Sequence, residues 1–133
     1  MLSKFILGQA EVITLLAAAR EEAERNQWAV SIAIVDDGGH LLALQRLDGA
    51  SPSSAYVATE KARSAAIGRR ETRHFEEMIN GGRTAFLSAP HLTSLEGGVP
   101  VIVGGQVIGA VGVSGVKASD DALIAKAGIQ ALG

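Results

Sequence analysis

Three histidines, His40, His74 and His91, are the side chains best suited to bind a metal ion in this cysteine-free sequence. No two of them form an i, i+4 pair on a helix and none stands in a metal-ligand motif, so a tetrahedral site is not indicated. A single histidine can still be the axial ligand of a haem iron. His91 is the first choice, because its loop at 88–98 leads directly into glycine-rich strands. The alternative for each histidine is an exposed position without a ligand.

Arg46, Asp48 and Lys61 carry the charges that suit an organic acid. Arg46, in the sequence LQRLDGAS, can clamp a carboxylate or a haem propionate through two parallel hydrogen bonds at the rim of a pocket. The alternative is an ion pair or turn with Asp48 that fixes the end of a strand to the next helix. Lys61, in EKARSAA, can transfer protons if it is buried. We expect it instead to snorkel, with its ammonium in water.

The glycine-rich stretch at 97–115, GGVPVIVGGQVIGAVGVSG, invites comparison with a phosphate-binding loop. Such a loop needs a strand, a glycine turn and a helix N-terminus in succession, whereas here Gly104 and Gly105 lead into a second strand. The stretch therefore predicts a β-hairpin. Its last residues lack the spacing of a nucleophile elbow. The backbone amides of Ser114 and Gly115 remain suited to bind an anion beside the last helix.

The periodicity of the apolar residues predicts an α/β (α+β) fold with a central antiparallel sheet of about five strands and helices on both faces. Ser51, Thr72 and Ser119 are the expected helix N-caps. The first strand has a large face with Ile32 and Ile34 and a small face with Ser31 and Ala33. In the last strand, Ile108 is expected to share a face with Ala110. The predicted helices cover 9–26, 51–69, 72–80 and 119–133, and the predicted strands cover 29–35, 40–47, 84–87, 99–103 and 106–113.

The composition limits the function classes. The chain has 133 residues, a net charge of -2 and 4% aromatic residues, so nucleic acid and anionic membranes are not expected partners. No apolar run approaches the roughly 20 residues of a membrane span. We expect one domain over 1–133 in the cytoplasm. The mean hydropathy of +0.25 and the small-residue helix at 51–69 predict a homo-oligomer.

Four motifs, VDDGGHLLALQRLDGA, EKARSAA, GRTAFL and GGVPVIVGGQVIGAVGVSG, resemble in this order the GlcG/HbpS family, also called the haem-degrading or PduO C-terminal-like family. The resemblance extends from about residue 9 to 131, and Arg46 and Asp48 match the family pattern. It implies a profilin-like fold and homo-oligomers. Some members bind haem, some are linked to haem or iron handling, and some occur beside corrinoid chemistry, so the resemblance fixes the fold better than the function.

Three hypotheses on function remain open. The first is a small-ligand-binding oligomer for haem or a related tetrapyrrole, in which any degradation is haem-assisted. The second is a small cytoplasmic enzyme acting on an organic acid, with Arg46 as the carboxylate clamp and Lys61 or a histidine for proton transfer. The third is a non-catalytic structural or regulatory assembly protein. The site is expected where loop 88–98 meets the end of strand 40–47, with haem as the candidate cofactor and His91 as its iron ligand. The expected ligand-binding residues are Arg46, Asp48, His91, Gly97, Gly98, Ser114 and Gly115.

Overall fold

Four strands and four α-helices form the protein in the computed structural model, which describes residues 1–133. The cap at Asn26 and the start at Pro52 agree with the sequence-based predictions for the first two helices. In chain order the elements are α1 (Gln9–Arg25), β1 (Ser31–Asp36), β2 (Leu41–Arg46), α2 (Pro52–Gly68), α3 (Thr72–Asn80), a 3₁₀ helix (Thr84–Ser88), β3 (Gly98–Val103), β4 (Gln106–Ser114) and α4 (Ala118–Gln130). No helix combines the length and the apolar character that a bilayer crossing needs.

The strands form one antiparallel sheet in the order β2-β1-β4-β3. Ser31 at the start of β1 pairs with Arg46 at the end of β2 and with Ser114 at the end of β4. The predicted site residues of β2 and β4 therefore lie at the same end of the sheet. They are separated by the width of β1, since neighbouring strands lie about 4.8 Å apart.

Helices cover both faces of the sheet, as predicted. α1 and α4 pack on the face with the large side chains, which include Ile32, Ile34 and Val111. α2 packs on the small face against Ala33 and Ala110. A Cβ at Gly112 would lie 2.2 Å from the carbonyl oxygen of Ala58 in α2, so the missing side chain lets the helix lie directly on the sheet.

The sheet has four strands rather than about five, because the predicted strand at 84–87 is a 3₁₀ helix. Phe86 in this segment stacks on Phe75 of α3, with ring centroids 5.3 Å apart. Phe86, whose β-propensity favours a strand, thus packs on α3 instead, so packing overrides β-propensity here.

A β-bulge corrects the predicted faces of the last strand. Val101 pairs with Gly109 and Ile102 pairs with Val107, so Ile108 has no partner in β3. The extra residue turns Ile108 to the face of the large side chains rather than to the face of Ala110. The predicted alternation of side chains between the two faces of β4 fails here, because it assumes that every residue of β4 pairs in turn with a residue of β3.

Two of the predicted N-caps are wrong. Ser51 is the cap of α2, as expected, but the cap of α3 is Glu71 and that of α4 is Lys117. Thr72 is the first helical residue of α3, and its hydroxyl accepts a hydrogen bond from the Gly98 amide at 2.9 Å. Ser119 lies within the first turn of α4. Thr72 was predicted to satisfy its own helix but instead holds the start of β3.

Candidate functional site

The predicted site residues fall into three places. Arg46 and Asp48 lie at the end of β2, and His91 lies in the loop before β3. The candidates Lys61, Gly97, Gly98, Ser114 and Gly115 lie around the end of β4 and the start of β3, where the Lys61 side chain reaches Asp121 of α4. The three places differ in burial and in how their polar groups are satisfied, so each is described separately.

Arg46 and Asp48 line a cavity of about 370 Å³ between the end of α1 and the end of β2, here called the Arg46 cavity. Two turns frame it. Leu47 donates its amide to the Val30 carbonyl at 2.9 Å, which extends the β2 pairing by one residue. The residues that line the Arg46 cavity are Arg20, Glu24, Gln27, Trp28, Ala29, Gln45, Arg46, Leu47 and Asp48.

The end of α1 supplies the other wall of the Arg46 cavity. The Trp28 amide donates to the Ala23 carbonyl at 2.8 Å, and Gln27 has a φ of 57°. This left-handed residue after the helix closes α1 in the way usual for helix C-termini. The closure brings the half-buried indole of Trp28 beside the last residues of β2.

The charges of the Arg46 cavity are only partly satisfied by the protein. Arg20 Nε lies 2.6 Å from Glu24 Oε1, and this hydrogen bond raises the pKa of the Arg20 guanidinium. Arg46 and Asp48 form no ion pair and no side-chain hydrogen bond. The alternative in which Arg46 is locked by a structural ion pair with Asp48 is therefore not what the structure shows. Arg46 also borders a more apolar groove of about 480 Å³ on the other side of β2.

Lys61 is buried, contrary to the prediction that it snorkels. Its Nζ donates to the Val113 carbonyl at 2.9 Å and to Asp121 Oδ2 at 3.1 Å, with 4% and 2% of the two side chains exposed. The pair joins α2 on one face of the sheet to α4 on the other. A lysine ammonium among small residues can either reach water or pair with a buried carboxylate. The sequence analysis considered water for Lys61 and overlooked the carboxylate of Asp121.

The glycines predicted to bind a ligand make room for this lysine. A Cβ at Gly97 would lie 2.8 Å from Lys61 Nζ, and one at Gly98 would lie 2.2 Å from the Lys61 carbonyl oxygen. Both residues are buried. The absent side chains let Lys61 pass close to the start of β3 and reach Asp121.

The anion beside Ser114 and Gly115 belongs to the chain itself. Asp121 Oδ1 accepts the Val116 amide at 3.1 Å, and the Gly115 amide also faces the carboxylate. Burial raises the pKa of Asp121, against the opposing effect of Lys61. No buried side-chain polar atom in the protein lacks a hydrogen-bond partner. The position at which an external anion was expected is therefore occupied by the Asp121 carboxylate of α4.

His91 lies on the surface, on a backbone that is held in place. Its φ is 61°, a left-handed conformation that is uncommon for a residue with a side chain. Buried Ser64 of α2 accepts the Thr93 amide at 2.7 Å and donates its hydroxyl hydrogen to the Glu60 carbonyl at 2.7 Å, while the His91 carbonyl oxygen lies 3.4 Å from the same hydroxyl. The imidazole has no hydrogen-bond partner in the chain, so its nitrogens are free to bind.

The structure does not bring His91 and Arg46 into one pocket. Ser54 of α2 shares a hydrogen bond of 2.8 Å with Ser31, the residue paired with Arg46, whereas the His91 carbonyl lies beside Ser64, which accepts the Thr93 amide. These two anchors are ten residues apart on α2, which corresponds to about 15 Å of helix. His40 and His74 are also exposed. No cluster of three or more histidine, aspartate or glutamate side chains is placed to hold a metal ion.

Sequence reasoning missed the α1 half of the Arg46 cavity. Arg20 and Glu24 lie in the helix predicted over 9–26, and Gln27 and Trp28 follow it, but none of the four was assigned a role at a site. Two signals point to them: the sole tryptophan of the chain lies three residues after the end of α1 at Arg25, and the charges of the helix cluster in REEAERNQ. Asp121 was likewise not among the predicted site residues.

Comparison with known proteins gives the family. Residues 7–130 match the family model described as "Haem degrading protein HbpS-like". The protein GlcG of Escherichia coli strain K12 is 63% identical over 114 residues, which make up 86% of this chain and 85% of that protein. An uncharacterized 15.0 kDa protein from the dhaT-dhaS intergenic region of Citrobacter freundii is 32% identical over 128 residues, covering 89% of this chain and 90% of that protein.

Solved structures agree with this result. The crystal structure of HbpS has a TM-score of 0.90 at 30% identity and covers 100% of this chain and 94% of that chain. The crystal structure of a PduOC:haem complex has a TM-score of 0.86 at 27% identity, with 96% and 95% covered. The predicted fold class and family are confirmed. By the match over residues 7–130 and the relatives that span it, this chain belongs to the HbpS-like family.

Proposed function

We propose that the protein binds haem and that His91 is the axial ligand of the iron. The family description names haem degradation, and a related protein of known structure was crystallised as a haem complex. Those statements concern the relatives. On this chain the proposal depends on one observation, the free and exposed imidazole of His91 in a loop that is fixed two residues later by the hydrogen bond from the Thr93 amide to Ser64.

The environment of His91 fits axial ligation. A ligand histidine needs an accessible nitrogen and a limited range of ring positions. Exposure of the side chain provides the first, and the hydrogen bond that the Thr93 amide donates to Ser64 restricts the backbone two residues after His91. Strained left-handed residues persist where the surroundings fix them, and they concentrate at functional sites. A bound haem would supply redox and oxygen chemistry, while the chain would bind the iron and orient the macrocycle.

Absorption spectroscopy tests the proposal. Titration of the apoprotein with ferric haem should give a saturable change in the Soret band. His91→Ala should abolish or change the spectrum of the histidine-ligated iron, whereas His40→Ala and His74→Ala, which remove equally exposed imidazoles, should leave it intact. A wild-type protein without a Soret change would refute haem binding. An unchanged spectrum in His91→Ala would refute the assigned ligand.

The enzyme hypothesis has weaker support from the site. Lys61, its candidate for proton transfer, lies buried against Asp121 and lines none of the described cavities. Arg46, its candidate clamp, does line a cavity. Homo-oligomerisation and a cytoplasmic location stay predictions.

A further inference from the structure

The Arg46 cavity contains one free positive charge and one free negative charge. Its four charged side chains sum to zero, since Arg20 and Arg46 balance Glu24 and Asp48. Arg20 and Glu24 are paired at 2.6 Å, and Asp48 lies near enough to Arg20 to help raise the pKa of its guanidinium, but neither Arg46 nor Asp48 has an ion pair within 4 Å or a side-chain hydrogen bond. Arg46 and Asp48 therefore remain available to a ligand, and a ligand that satisfies both must carry one charge of each sign.

We propose that the Arg46 cavity binds a small zwitterion of the α-amino acid type through Arg46, Asp48 and Trp28. The planar guanidinium of Arg46 can hold the ligand carboxylate by two parallel hydrogen bonds. The Asp48 carboxylate can accept hydrogen bonds from the ligand ammonium. A ligand with only a carboxylate would leave Asp48 unmatched, and one with only an ammonium would leave Arg46 unmatched.

The uncharged lining fits the rest of such a ligand. Gln27 and Gln45 carry side-chain amides that make no hydrogen bond within the chain and that offer both donors and acceptors. The indole of Trp28 offers an apolar surface to the side chain of the ligand. The volume of about 370 Å³ is at the small end of ligand pockets, which suits an amino acid better than a macrocycle.

The zwitterion site is separate from the proposed haem ligand. No histidine lines the Arg46 cavity, and His91 is anchored at the other part of α2. The proposal therefore does not depend on haem binding. A protein that binds an amino acid but not haem would refute the first proposal and support this one.

Trp28 is the only tryptophan of the chain, so its fluorescence reports directly on this cavity. Excitation at the red edge of tryptophan absorption separates it from Tyr56, the only tyrosine. We would titrate the wild-type protein with each natural amino acid, and with lactate and ethylamine, which each lack one of the alanine charges. At least one amino acid should give a saturable change with a dissociation constant below about 10 mM. Lactate and ethylamine should bind at least about tenfold more weakly than alanine, which corresponds to the loss of one charged contact.

Variants decide whether the charges act as proposed. Arg46→Gln and Asp48→Asn should each weaken binding of the best amino acid by at least about tenfold. Arg83→Gln, which changes an exposed arginine outside the cavity, should not. Circular dichroism would confirm that each variant is folded. The proposal is wrong if no amino acid gives a saturable change, if lactate binds as tightly as alanine, or if Arg46→Gln binds like the parent.

Discussion

Two pairs of opposite charges, Lys61 with Asp121 and Arg46 with Asp48, are treated differently by the fold. The first pair is buried and lies within 3.1 Å, Lys61 also donates to the Val113 carbonyl, and Asp121 also accepts the Val116 amide. The second pair lies at an open cavity, and neither member has a partner in the chain. The residues are of similar types, so residue type alone does not separate a structural role from a binding role. The two roles are distinguished by whether each charge has a partner within the protein.

Burial explains the difference in role. Removing two charges from water costs several kcal/mol per ion, and only close pairing and additional hydrogen bonds offset it. Lys61 and Asp121 have both, and they connect the two helical layers around the start of β3. Arg46 and Asp48 keep their contact with water and therefore need no partner until a ligand displaces that water.

The largest expected effect is on the buried pair. Lys61→Met leaves the Asp121 carboxylate buried without its counter-charge and should lower the free energy of unfolding by about 3–5 kcal/mol. Urea denaturation at neutral pH measures it. The double variant Lys61→Met with Asp121→Leu removes both charges and should recover most of the loss. A single variant within about 1 kcal/mol of the parent would contradict the structural role of the pair.

Gly98→Ala tests the close approach that lets Lys61 pass. The new Cβ would lie 2.2 Å from the Lys61 carbonyl oxygen, so backbone must move, at a cost of about 1–3 kcal/mol or more. Gly104→Ala is the comparison, because no atom lies within 4 Å of its added Cβ and only its φ of 59° is unfavourable. Thermal unfolding of both variants gives the measurement. An equal loss of stability in the two would show that crowding at Gly98 is not important.

The pH dependence of stability should report on Asp121. Burial raises its pKa above the ordinary 3.8, so the folded state binds this proton more tightly than the unfolded state does. This contribution stabilises the protein below about pH 4 and is lost as the pH rises through the folded-state pKa. Removal of Lys61 should raise that pKa further. The destabilisation by Lys61→Met should therefore be smaller at pH 4 than at pH 7, by roughly 1 kcal/mol for each unit of pKa shift.

Urea denaturation of Lys61→Met across this pH range measures the effect, and the same series with Asp121→Asn added is the control. The second series should be flatter, because its residue 121 does not titrate. If Lys61→Met lowered the free energy of unfolding more at acid pH than at pH 7, the raised pKa assigned to Asp121 would be contradicted.

The smallest effect on stability is expected at the cavity. Arg46→Gln and Asp48→Asn remove no contact within the protein and should change the free energy of unfolding by less than about 0.5 kcal/mol. Urea denaturation without ligand measures this. A loss above about 1 kcal/mol for either variant would mean that the two charges serve the fold, and the contrast with Lys61 would disappear.

The sequence predicted the layers of the fold well because they depend on local patterns. The alternation at Ile32 and Ala33 identified a large and a small face, and the Gly104-Gly105 turn identified a hairpin. The bulge at Ile108 and the 3₁₀ helix at 84–88 were missed, because both depend on contacts between elements.

The site was predicted only in part. Arg46, the last residue of β2, was expected at the rim of a pocket and does line a cavity together with Asp48, while their binding of a ligand stays a prediction. The prediction that His91 and Arg46 lie in one site is wrong for a single chain. The order of the strands and the path of α2 decide which loops lie close together. The partner of Lys61 lies 60 residues later in the chain, a distance at which local patterns give no information.

Pulsed electron paramagnetic resonance of the ferric haem complex tests the proposed function most directly. The protein would be prepared with histidine in natural form and with ¹⁵N-labelled histidine. If His91 binds the iron, labelling should change the nitrogen coupling, His91→Ala should abolish it, and Arg46→Gln should leave it unchanged. A wild-type complex without histidine nitrogen coupling, or the same coupling in His91→Ala, would contradict the proposal.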